Sequence, residues 1–82
     1  MDRVVGALVS AIANLETLAE LYSHEHMAIN ALEEIAYRLG EMTGDERRSF
    51  DLAISRIADA HDHAQPGSGD WIRSVPRRLD LH

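Results

Sequence analysis

The chain has no cysteine and no lysine, and only two prolines, one tryptophan and one phenylalanine among its 82 residues. Without cysteine it can form neither a disulfide nor a thiolate metal site, and its composition carries no mark of a redox compartment. Without lysine every basic side chain is a guanidinium, which suits bidentate pairing with carboxylates. No uninterrupted apolar run approaches the ~20 residues a membrane span needs. Asp2 and Arg3 make a poor basic leader for the apolar stretch 4–12, and no cleavage pattern follows it. No membrane association is therefore expected, and the expected location is the cytoplasm. Basic charge is also scarce: 14 acids against eight arginines leave a net charge of −6. That balance argues against direct contact with nucleic acid, where phosphate neutralisation supplies most of the affinity. It fits a basic protein partner, met through charge complementarity; the plain alternative is that acidity keeps a small protein soluble.

What is present is helical periodicity. Val5, Leu8, Ile12, Leu15, Ala19 and Tyr22 recur in alternating steps of 3 and 4, and Val4, Ala11 and Leu18 widen the stripe. Ser10, Asn14, Thr17 and Glu20 take the other side, so the pattern predicts an amphipathic helix with a broad buried face. The period then slips. Its continuation would bury His26 and Glu33, whereas the apolar set restarts as Ala28, Leu32, Ile35, Leu39 and Met42, with Ile29 and Ala36 beside it. The slip predicts a tight turn between two helices, with Ser23 as N-cap and Glu25 near the positive end of the second. One continuous helix is the rival reading.

Gly40 and Gly44 bracket the end of the second helix. Thr43-Gly-Asp-Glu46 reads as a capping box opening a third. That helix presents Phe50, Ala53, Ile54, Ile57, Ala58 and Ala60, extended by His61 and Ala64, and has to end before Pro66. Pro66-Gly-Ser-Gly69 is a loop. The predicted fold is all-α, a compact three-helix bundle with helices over 2–22, 24–42 and 44–65. Residues 1–82 are expected to form a single helical domain, with a helical core over 1–65, the loop over 66–69 and a docking tail over 70–82. In the tail, Trp71, Ile72 and Val75 make one helical turn, capped by Asp70 and stopped by Pro76, and residues 77–82 alternate like an extended segment. The tail is the basic part, with +1 over residues 67–82 against −4 over 1–40 and −3 over 41–66.

Four groups of residues invite chemistry. His24 and His26 flank Glu25, and His61 and His63 flank Asp62, two triplets of ligand types that suit zinc, iron or nickel. Residues two apart on a helix point roughly 200° apart, so neither triplet holds an ion alone. Glu20 with His24 and Asp59 with His63 are spaced to share one, but only if the two pairs meet across the bundle; solvated helix ends are the simpler reading, and no metal or other cofactor is expected. Arg56-Ile-Ala-Asp-Ala-His61 has the arginine–histidine spacing of the helical HEPN ribonucleases, and that six-residue resemblance implies a phosphate-polarising arginine and an acid–base histidine. Glu33 with Glu34, and Asp59 with Asp62, are close acid pairs that read as solvated or partner-facing patches rather than as acid–base dyads. Trp71, after the flexible loop, either anchors the tail on the helices or joins Arg73, Arg77 and Arg78 in a contact strip, since tryptophan and arginine are the usual interface anchors.

In order along the chain come two amphipathic helices, the stretch from Arg47 to His63, a polar turn, a short aromatic-containing turn and a basic stretch ending Leu79-Asp-Leu81. This order resembles the small helical immunity proteins that neutralise toxins delivered by type VI secretion. The resemblance implies a compact acidic bundle that plugs a toxin's active site, with its acidic stretch at Asp59, Asp62 and Asp70. The expected function is thus that of a non-enzymatic, protein-binding inhibitor, an immunity protein or antitoxin. Its partner would be a basic toxin or effector, bound through Asp59, Asp62, His63, Asp70, Trp71 and Arg73. Two alternatives stand beside it. One is a homodimeric structural module built on the wide stripe of the first helix, which a charge at Leu8 or Ile12 would split. The other is a phage-encoded inhibitor of a bacterial defence complex, using its acidity to imitate phosphate.

Overall fold

The computed structural model describes residues 1–22 and 26–81. It is all-helical, with α1 at Asp2–Leu21, α2 at His26–Gly40, α3 at Gly44–Ala64 and α4 at Asp70–Arg78, and no strand occurs among the described residues. The expected count of three helices is corrected to four. The phase slip marks a true break: α1 ends on Tyr22, whose φ of −123° and ψ of 87° leave the helical region while its N–H still donates to the Leu18 carbonyl. The expected cap at Ser23 and the dipole partner Glu25 lie outside the described residues, as do His24 and His82.

The start of α3 follows from local chemistry. The Thr43 N–H donates to Glu46 Oε1 at 2.9 Å and the Glu46 N–H donates to Thr43 Oγ1 at 3.2 Å. Two of the amides that a helix N-terminus leaves unpaired are thereby satisfied. Asp45 and Glu46 in the first turn suit the positive end of the dipole. At the other end Gln65, extended at φ −149° and ψ 109°, closes the helix just before Pro66.

The tail differs most from expectation. Pro76 does not stop it, for α4 runs two residues further to Arg78, and residues 77–82 do not begin as an extended segment. Pro76 lacks an N–H, which in mid-helix weakens the ladder. Here Val75, fully buried, and Leu79, 8% exposed, pack with Ile12 of α1, and that burial carries the helix past the proline. The end is then sealed by backbone bonds: the Leu81 N–H donates to the Pro76 carbonyl at 2.8 Å and the Asp80 N–H to the Arg77 carbonyl at 3.0 Å. With Asp80 at φ 60°, this is a Schellman ending built on a left-handed residue that is not glycine.

Two adjoining clusters form the core. Val5, Val9, Phe50, Ala53, Ile54, Ala58 and Ile72 make the first, and Ile12, Val75 and Leu79 the second, with Leu8, Leu39, Trp71 and Leu81 packed against both. The core face of α1 is therefore Val5, Val9 and Ile12. Val4, Ala11, Leu18 and Tyr22, expected in or beside the stripe, are exposed, because α2 and α3 both pack on the far side of α1. Ile12, expected to serve a dimer, is instead 1% exposed inside the monomer. On α3, Ala60, His61 and Ala64 are exposed rather than extending the core face, since α4 enters the bundle at Gly69, against Ala58, and leaves the last turns of α3 uncovered. By length and composition alone α1 is apolar enough to cross a membrane. Two bidentate ion pairs hold it in the bundle: Arg56 with Asp2 at 2.7 and 2.8 Å, and Arg78 with Glu16 at 2.9 and 3.0 Å.

Candidate functional site

Four of the six expected partner-binding residues meet in one cluster. Arg73 Nη2 lies 2.7 Å from Asp59 Oδ1 and 2.6 Å from Asp62 Oδ2, and Nη1 lies 3.2 Å from Asp70 Oδ1. Asp59 and Asp62 sit one turn apart on α3, and Arg73 reaches back to them from the first turns of α4. The same Asp62 carboxylate accepts the Gly69 N–H at 2.7 Å. That bond, and then the Arg73 guanidinium, hold its carboxyl below the usual value of 3.8. Ser68 Oγ donates to the His61 carbonyl at 2.7 Å, so the loop is tied to α3 twice. The cluster binds the start of α4 to the end of α3, and its acids already face a guanidinium of their own chain.

Gly69 makes this docking sterically feasible. It is buried, and a Cβ at this position would lie 2.2 Å from the Ala58 carbonyl oxygen. Only glycine lets the two backbones come this close. Nothing in the composition of the Pro-Gly-Ser-Gly loop distinguishes Gly69, a tight-approach glycine, from Gly67, which supplies a positive φ of 89°.

Trp71 is half-buried against both core clusters, and the Arg78 guanidinium lies 5.9 Å from its ring centroid while bonded to Glu16. Of the two roles open to Trp71, the structure displays the anchor, with a cation resting on its outer face. His63 is exposed and makes none of the cluster's bonds. The metal readings pair Asp59, now bonded to Arg73, with His63, and Glu20 with His24, which lies outside the described residues. Among the described residues no group of three or more His, Asp or Glu side chains is placed to hold a metal. Arg56, the arginine of the ribonuclease-like spacing, is occupied by Asp2, whose carboxyl is lowered chiefly by that hydrogen bond.

The outer face of α2 is different. Asn30, Glu33 and Tyr37 follow one another at helical spacing and are all exposed, Tyr37 at 65%. Glu34 beside them pairs with Arg38 at 2.8 Å, whereas Glu33 and, just past the helix, Glu41 have no ion pair among the described residues. Residues 26–41 hold three acids against one arginine, a net −2. Glu33 belongs to one of the acid pairs that stand out in the sequence, whereas the only sequence signal for Asn30 and Tyr37 is the polar side of the second helix's period. Compared with protein-family models, curated proteins and solved structures, the chain matches none.

Proposed function

We propose that the chain is a small protein-binding inhibitor, an immunity protein or antitoxin in kind, that occludes a basic partner with the outer face of α2. The observation carrying this reading is the separation of charge. The acids of α3 and α4 are largely spent on arginines of the same chain, whereas among the described residues Glu33 and Glu41, beside an exposed tyrosine, are not. An exposed tyrosine flanked by Glu33 and Glu41, neither ion-paired among the described residues, has the composition of an interface anchor for a cationic surface, and the negative charge around it raises the encounter rate. Asp59, Asp62 and Asp70 keep a part in this reading by holding the bundle together.

The test uses the purified chain as bait at low and moderate salt. One stoichiometric partner is expected, released as salt rises. Glu33→Arg and Tyr37→Ala should each weaken it by about tenfold or more, the cost of removing a modest hot spot, with helix content unchanged. Co-expression with the captured partner should relieve any toxicity it has. A partner held equally well by both variants would move the docking surface off α2.

A further inference from the structure

α1 is apolar on two faces. One carries Val5, Val9 and Ile12 into the core. On the other, Val4, Ala7, Ala11, Asn14, Leu18 and Leu21 recur in steps of 3, 4, 3, 4 and 3, and every one of them is exposed, Val4 at 67% and Leu21 at 70%. These steps are the spacing of a coiled-coil seam. None of the six carries a charge. The other helices of this chain cover the core strip of α1 and leave this second strip open. The seam continues into an open apolar depression of about 320 Å³ between α1 and α2, lined by Leu15, Leu18, Met27, Ala28 and Ala31.

The geometry points to a second copy of this chain as the occupant, two α1 helices pairing antiparallel across a two-fold axis between Ala11 and Asn14. The seam is self-complementary in size. The six positions are symmetric about the midpoint between Ala11 and Asn14, so reversing the helix sets Val4 of one copy against Leu21 of the other, Ala7 against Leu18 and Ala11 against Asn14. A two-fold interface requires that self-match, and alanines at the centre let the helices approach closely. Asn14, the single polar residue of the seam, favours one register over a slipped one.

Charge and area agree with this occupant. The seam offers no acid to a basic partner, and a net charge of −6 repels an anionic lipid surface. A 20-residue helix is about 30 Å long. The largest apolar patch on a typical monomer covers about 300–600 Å², and two patches at the upper end of that range, face to face, reach the ~1,000 Å² that a specific interface needs. Asn30, Glu33 and Tyr37 lie outside the seam, so the pairing stands independently of the inhibitor reading and would join two inhibitor faces in one particle.

Sedimentation equilibrium of the full chain tests it first. The mass should rise with concentration from 9.2 kDa to twice that value. Ala11→Arg and Leu18→Lys should stay at the monomer mass with unchanged helicity, as both positions are outside the core. The cysteine-free sequence gives a second readout. Ala11→Cys should oxidise with Asn14→Cys to a linked dimer in an equal mixture, since the central crossing brings these facing Cα atoms within the ~7 Å a disulfide tolerates. Val4→Cys should link to Leu21→Cys in an equal mixture and not to itself. A wild-type chain that remains monomeric up to about 1 mM, the weak end of specific association, overturns the proposal. So does an Ala11→Arg chain that still dimerises, or a Val4→Cys chain that links to itself, which means parallel pairing.

Discussion

Gly69 has no side chain at the point where the α3 backbone passes closest, and that absence is a structural requirement. The obstacle to a Cβ is the Ala58 carbonyl rather than a flexible side chain, so the strain cannot be relieved by a rotamer change. Gly69→Ala should destabilise the fold by about 1–3 kcal/mol, the usual cost of overpacking. Urea unfolding followed through Trp71, the single tryptophan, would show it as a lower midpoint. Asp62 accepts the amide of the same glycine, and its carboxyl is held below the ordinary 3.8 by that bond and by Arg73. A carboxylate whose folded pKa is depressed contributes stability that is fully present above the unfolded value and lost as pH falls through the folded one. The chain should therefore lose stability below about pH 4, with Asp2, lowered by Arg56, acting in the same sense. In Asp62→Asn the amide oxygen can still accept from Gly69, but the charge is gone. That variant should be weaker than wild type at neutral pH and converge with it at the acid end, giving a flatter acid limb in a Trp71 fluorescence titration.

At the scale of the element, the features legible in the sequence were those set by neighbours in the chain. The capping box at Thr43 and Glu46 involves residues three apart, and it forms as read. Thr43→Ala should cost about 1 kcal/mol and fray the first turn of α3, seen as lost amide protection near Asp45 while the core of α3 stays protected. The break between α1 and α2 was legible for a related reason, because a change of phase cannot be absorbed by one straight helix. The continuation of α4 through Pro76 was not legible. A proline reads locally as a stop, and what overrides it is burial of Val75 and Leu79 against Ile12, more than 60 residues earlier in the chain. The two sides of α1 were indistinguishable for the same reason: Val4, Ala11 and Leu18 are as apolar as Val5, Val9 and Ile12. Only the arrival of α2 and α3 on one side decides which set is core. The acids at Asp59 and Asp62 looked like a free patch until α4 brought Arg73 onto them.

Over the whole molecule charge is unevenly spread, with −5 in residues 1–41 and −1 in the remainder. A partner steered by the overall field and a partner seated on α2 respond differently to the same change in net charge. Glu33→Arg and Asp45→Arg each alter the total by two. The first lies on the outer face of α2, and the second at the exposed start of α3, where Asp45 pairs with Arg48. Long-range steering acts on the association rate and is screened over about 10 Å at 0.1 M salt. Both substitutions should therefore slow association with the captured basic partner at low salt, and the slowing should fade as salt rises. Short-range seating acts mainly on dissociation. Only Glu33→Arg should shorten the lifetime of the complex, and that effect should persist at high salt, because a buried contact is screened much less. Association and dissociation rates measured by surface plasmon resonance at two salt concentrations separate the cases. If both variants change only the association rate, acidity steers the partner and α2 does not hold it; if Asp45→Arg alone speeds dissociation, the docking face is at the start of α3.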